Sequence, residues 1–177
     1  DLVRSRGLGD VYKRQCKDET IMNEEITLRD VADYLDHIGI QFMATIGLDG
    51  KPKVRPMQYM ILEDDKLWFC TNAKKEVYAE LQANPALELC GCKLEKNEIQ
   101  TPWIRFSAEA VFEERQDIRD AIIEKSAIVH ELYKDMRTNP IFKVFYLKHI
   151  DGWMTNLGNV KGLEKKADFA KPIHFQF

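Results

Sequence analysis

QFMATIGLDGKPKVRPMQYMILEDDKLWFCTN, residues 41–72, decides the fold. Phe42, Ala44 and Ile46 alternate with Met43 and Thr45, the period of two that marks a strand. Asp49-Gly50 is a tight-turn signal, and Lys53–Leu62 reads as the returning strand of a hairpin. Glu63-Asp64-Asp65 makes a second turn, and Lys66–Thr71 a third strand. Strands joined by turns this short run antiparallel, because parallel neighbours need long crossovers. A doubly wound parallel sheet is thereby excluded.

Upstream, Thr27 and Asp30 have the spacing of a capping box. Val31, Tyr34, Leu35 and Ile38 then repeat at helical spacing, so 28–38 is an amphipathic helix stopped by Gly39. Downstream, Val77, Tyr78 and Leu81 share a helical face that Asn84-Pro85 ends. Ala86–Leu94 is strand-like and 95–100 a polar loop. Ile104, Phe106, Ala108, Ala110 and Phe112 mark a long half-buried strand. Residues 114–136 read as a helix broken near Ser126 and ended by Asn139-Pro140. Phe142–Leu147 and Ile150–Thr155 are expected strands, and 157–177, with weak periodicity, a frayed tail. The expected class is mainly β with α (α+β). Six or seven antiparallel strands form a closed or partly closed barrel decorated by helices.

With 177 residues, the chain is long enough for one domain and too short for two ordinary ones. No apolar run approaches the ~20 residues of a membrane helix. A net charge of −3 gives no reason to expect nucleic acid as a partner. Residues 1–15, DLVRSRGLGDVYKRQ, are basic and without periodicity, and Ser5–Gln15 resembles the in-frame translation of a transposase sequencing adapter. Met22 is then the expected start, residues 1–21 a dispensable tail, and 22–177 one domain. Without residues 1–15 the net charge is −5. Cys90-Gly-Cys92 is not the C-x-x-C pair of a zinc ribbon, and its place in an apolar strand predicts buried free thiols. Free thiols and the absence of a secretory signal pattern point to the cytoplasm and to no metal site.

No G-x-S-x-G elbow, H-E-x-x-H pair, P-loop or G-x-G-x-x-G is present, and His37, His130, His149 and His174 are scattered. Two neighbouring segments remain: Val54-Arg55-Pro56-Met57-Gln58, and Phe69-Cys70-Thr71-Asn72-Ala73-Lys74-Lys75 at a strand-to-helix junction. A helix start offers free N–H groups and the positive end of its dipole, so two lysines there are poor helix design unless an anion joins them. Arg55, across the hairpin, could add a forked contact to the same anion. A solvated basic loop without a ligand is the competing reading.

These residues resemble the flavin-binding core of the pyridoxamine 5'-phosphate oxidase-like split barrels. Arg55, Cys70-Thr71-Asn72, Lys74-Lys75 and Asn84-Pro85 carry the likeness, preceded by Gly47–Gly50 and followed by Pro140–Leu147. The resemblance spans roughly 25–155. It implies an antiparallel split β-barrel, a homodimer with FMN at the subunit interface, and an FMN-dependent oxidoreductase acting on a small molecule. A non-catalytic flavin-binding or redox-sensing module is the alternative, as is a barrel using haem or deazaflavin. The implied cofactor residues are Arg55, Pro56, Met57, Gln58, Cys70, Thr71, Asn72, Lys74, Lys75 and, from the partner, Trp103. Two departures argue against vitamin B6 phosphate oxidation. Glu76 and Val77 stand where those oxidases carry Arg-Lys, and no Arg follows Arg137.

Overall fold

The computed structural model describes residues 25–93, 102–133, 139–155, 160–163 and 172–177. The expected tail 1–21 and the polar loop 95–100 lie outside them. Helix α1 (Leu28–Ile38) opens on the expected box: the Asp30 N–H donates to Thr27 Oγ1 at 3.2 Å, and the Thr27 N–H to Asp30 Oδ2 at 2.7 Å. Gly39 closes it at φ 83°, which costs glycine no Cβ clash, and its N–H caps the Leu35 carbonyl. Val31, Tyr34 and Leu35 are fully buried, so the helix is held by its apolar stripe.

The described strands are β1 (Gln41–Ile46), β2 (Pro52–Met57), β3 (Ile61–Glu63), β4 (Lys66–Asn72), β5 (Ala86–Cys92), β6 (Trp103–Phe112), β7 (Phe142–Met154) and β8 (Ile173–Gln176). They pair antiparallel in the order β2-β1-β5-β6-β7-β4-β3, with β8 on β7. Helix α2 (Glu76–Ala83) links β4 to β5; α3 (Gln116–Lys125) and α4 (Ala127–Tyr133) lie between β6 and β7, separated at Ser126 as the spacing predicts.

Three expectations change, and a face the alternation leaves open, that of β1, is settled. The returning segment Lys53–Leu62 is two strands, because the chain leaves β1 at Met57 and joins β4 at Ile61. Between them the Tyr59 N–H donates to the Gln41 side chain, and the Met60 N–H to the Trp68 carbonyl. Second, the inward face of β1 carries Gln41, Met43 and Thr45, while Phe42 and Ile46 stay exposed. Buried Gln41 is affordable because its amide donates to the Leu35 and Gly39 carbonyls. Third, Cys90 and Cys92 are exposed, not buried. Leu87, Leu89 and Gly91 take the inner face of β5, with Gly91 pressed under Ile38. Fourth, Phe142–Met154 is one strand, and Ile173–Gln176 near the end of the chain is another. A bulge opposite Ser107–Glu109, with His149 at φ 53°, absorbs the phase change that splits the sequence pattern. Phe175 of β8 is buried against Phe106.

The main core lies between α1 and the concave sheet and includes Tyr34, Met43, Phe69, Leu89, Ile104, Phe106 and Phe145. A second cluster, Trp68, Ile118, Ile122, Val129, Phe142 and Val144, sits under α3 and α4. Each such side chain contributes about 1.5–3 kcal/mol. Among the described residues no helix is long and apolar enough to cross a membrane.

Candidate functional site

Strand β2 ends the sheet path on one side, with β4 and β3 at the other, so no ladder of sheet hydrogen bonds joins β2 to β4. The barrel is split along this seam. Helix α2 follows β4 after a three-residue connection, Ala73-Lys74-Lys75, and packs on both β1 and β4. The Asn72 side chain shapes that turn by accepting the Lys74 N–H at 2.8 Å.

A cavity of about 500 Å³ opens at the seam, lined by Arg55, Pro56, Met57, Cys70, Thr71, Lys74, Lys75, Glu76 and Val77. That volume lies within the range of small-molecule sites. Seven residues expected at a ligand site from sequence therefore converge on one cavity. Three do not. Gln58 lines a separate depression with Tyr59, Lys125 and Ile128, because β2 has already ended. Asn72 is spent on the turn. Trp103, expected to reach the site from the partner subunit, lies in its own protomer on β6, three strands from β2, where its carbonyl accepts from the Tyr34 hydroxyl.

The walls differ in chemistry. Thr71 is 4% exposed, and its Oγ1 has no hydrogen-bond partner among the described residues. A buried hydroxyl left unpaired is costly, so this atom calls for a partner in the cavity. Lys74 and Lys75 stand exposed at the mouth with no ion pair to a described carboxylate. Lys75 is the N-cap of α2 and supplies no side-chain cap; the Tyr78 N–H donates to its carbonyl at 3.0 Å, which leaves the Glu76 and Val77 N–H groups to an external acceptor. Burial pushes the Cys70 thiol up to about 12, only partly offset by the Lys75 charge. Cys70 therefore meets a ligand as a neutral thiol and not as a thiolate nucleophile.

Arg55 is committed in a way its sequence position does not reveal. Its Nη2 donates to Glu80 Oε2 at 2.7 Å and its Nη1 to Thr45 Oγ1 at 2.5 Å, while the Thr45 hydroxyl donates to the same Glu80 oxygen at 2.6 Å. Glu80 is 2% exposed. Neither Thr45 nor Glu80 was among the expected site residues. The available signal was a carboxylate inside the apolar stripe Val77–Leu81, at a position that would otherwise be aliphatic. A second depression of about 450 Å³ adjoins the first across Lys74, Lys75 and Glu76 and is bordered by Lys53 and Glu80.

A profile of the family described as pyridoxamine 5'-phosphate oxidase matches residues 29–155. No curated protein sequence matches the chain. Among solved structures, a NimC/NimA family protein from Clostridium acetobutylicum superposes with a TM-score of 0.65 at 22% identity, covering 85% of this chain and 92% of that one. A protein from the same organism, related to general stress protein 26 of B. subtilis and described as of the pyridoxinephosphate oxidase family, gives 0.58 at 15% identity, covering 85% and 94%. A haem-binding protein from Mycobacterium smegmatis gives 0.58 at 11% identity, covering 86% of this chain and 59% of that one. The profile spans the helix α1, the split seam and the cavity-bearing strands, and this chain belongs to the pyridoxamine 5'-phosphate oxidase-like split-barrel family.

Proposed function

We propose that the seam cavity binds FMN and that the protein is an FMN-dependent oxidoreductase of a small molecule. The observation that carries this reading is Thr71 Oγ1, a buried and unpartnered hydroxyl beside two unpaired lysines and an uncapped helix start. This set offers a neutral hydrogen bond, two point charges and backbone N–H groups within one cavity, the chemistry a phosphomonoester needs. Haem fits the lining less well. An iron needs an axial ligand, and among the described residues no His lines the cavity.

Flavin, when bound, supplies the electron and hydride transfer. The chain supplies position and surroundings. Lys75 and Lys74 hold the phosphate at the mouth, and Thr71 donates to the ligand from the floor. Met57 and Pro56 give an apolar wall. Among the described residues no imidazole lines that cavity, and its titratable side chains are Arg55, Cys70, Lys74, Lys75 and Glu76.

The occupant of the open side is a second copy of the chain. Phe42, Ile46 and Val54 are 48%, 43% and 66% exposed on the outer face of β1 and β2. Phe42 pairs across from Pro56, which also rims the cavity, so a copy docked on this face borders the site. A flavin-fluorescence titration with FMN and riboflavin tests the function. Submicromolar FMN binding with weaker riboflavin binding supports it; no binding of either refutes it.

A further inference from the structure

Resting on the flavin reading, we infer that Glu80 is a positioning residue for the cofactor phosphate, acting through Arg55. Burying a carboxylate to 2% exposure on a helix that otherwise packs Val77 and Leu81 is expensive, and an aliphatic side chain would serve the packing better. The two groups that compensate it are Arg55, which lines the cavity, and Thr45 on the neighbouring strand. The three form a closed triangle. Thr45 has one hydroxyl hydrogen, given to Glu80, and its lone pair receives Arg55 Nη1. The guanidinium is thus pinned by its two terminal nitrogens from two different elements, α2 and β1. It can neither rotate nor withdraw. Of its five N–H groups two are used, leaving three for a ligand.

The pair also sets the charge. Arg55 and Glu80 together are neutral, so Arg55 offers fixed donors without a net cation, and the compensating charge for a phosphate rests on Lys74 and Lys75. Two opposite outcomes follow from removing Glu80, and they separate the ideas. If orientation matters, FMN binds more weakly. If Glu80 merely dilutes the charge of Arg55, FMN binds more tightly.

The test is a fluorescence titration with FMN and with riboflavin on the full chain, its Glu80→Ala, Glu80→Gln, Thr45→Val and Arg55→Ala variants, and the Arg55→Ala/Glu80→Ala double variant. Glu80→Ala is expected to weaken FMN about tenfold or more, the scale of one charge-assisted hydrogen bond, and to leave riboflavin unchanged. Glu80→Gln keeps the volume and an oxygen acceptor and is expected to restore FMN binding to within about threefold of wild type. Thr45→Val removes one vertex without altering any charge and is expected to weaken FMN selectively, by about 2- to 12-fold. In the Arg55→Ala background, Glu80→Ala should add no further loss. Tighter FMN binding in either Glu80 variant overturns the inference, as do equal losses for both flavins or additive losses in the double variant. If wild type binds both flavins equally, the phosphate role of Arg55 falls while the flavin cavity stands. If it binds neither, the flavin reading itself fails, and this inference with it.

Discussion

Replacing Thr71 by Val should make the ligand-free protein more stable and the flavin complex weaker. The two side chains share a branched shape, so the packing between β4 and α2 survives the change. What disappears is a hydroxyl that is buried and has no partner among the described residues. Burying an unpaired polar group costs about 1–3 kcal/mol, and Val recovers most of that. For a domain of this size about 1 kcal/mol moves the midpoint of thermal unfolding by ~2–4 °C, so a rise of roughly 2–8 °C is expected at fixed protein concentration. In the complex the sign reverses. A hydrogen bond from Thr71 to the ligand contributes about 0.5–1.5 kcal/mol, so FMN should bind about 2- to 12-fold more weakly to Thr71→Val. Differential scanning calorimetry with and without saturating FMN reads both effects in one experiment. A midpoint that falls in the ligand-free variant, with FMN affinity unchanged, would show that the hydroxyl is satisfied within the fold and would refute the reasoning.

Lys75→Ala should weaken FMN by roughly 10- to 150-fold while leaving riboflavin binding and the fold unchanged, as measured by flavin fluorescence. Gly152→Ala should destabilise severely, because a Cβ there would lie 2.3 Å from Phe106 Cβ and 2.4 Å from the Arg105 carbonyl oxygen, neither of which can move freely; chemical denaturation would show a loss above ~3 kcal/mol. Alkylation at pH 8 followed by peptide mass mapping should label Cys90 and Cys92 rapidly and Cys70 only on unfolding, since its thiol is protonated below about 12; by the same linkage, Cys70 stabilises the fold below its ordinary value near 9 and this contribution fades as pH rises from there toward 12. Light scattering should give twice the 20.7 kDa chain mass for wild type and a single chain mass for Phe42→Glu, whose charge falls on the proposed docking face.

The local signals in the sequence were strong where chemistry and geometry coincide. The capping box at Thr27, the break at Ser126 and the alternation along 104–112 each depend on neighbours in the chain, and each is present in the fold. What the local pattern left open or misread shares one cause, which is that the inward face of a strand is chosen by distant partners. Phe42 points outward because Gln41 and Thr45 find hydrogen bonds inside, from α1 and α2. Cys90 and Cys92 face outward because Gly91 alone fits beneath Ile38. β8 escapes a periodicity search because four residues hold too short a pattern, and its pairing to β7 bridges most of twenty residues. In the site, the strand-to-helix junction was legible as a charge pattern at odds with helix design. The Arg55–Glu80–Thr45 triangle was not, because it joins three elements across 35 residues of sequence.

The most direct test of the flavin site is the absorption spectrum of the purified protein, with mass spectrometry of whatever it releases on denaturation. The absorption bands of a bound flavin are expected, with FMN as the released species. The sharp absorption band of a haem with release of a porphyrin would contradict the assignment, and so would a protein that carries no chromophore and takes up no FMN when it is supplied.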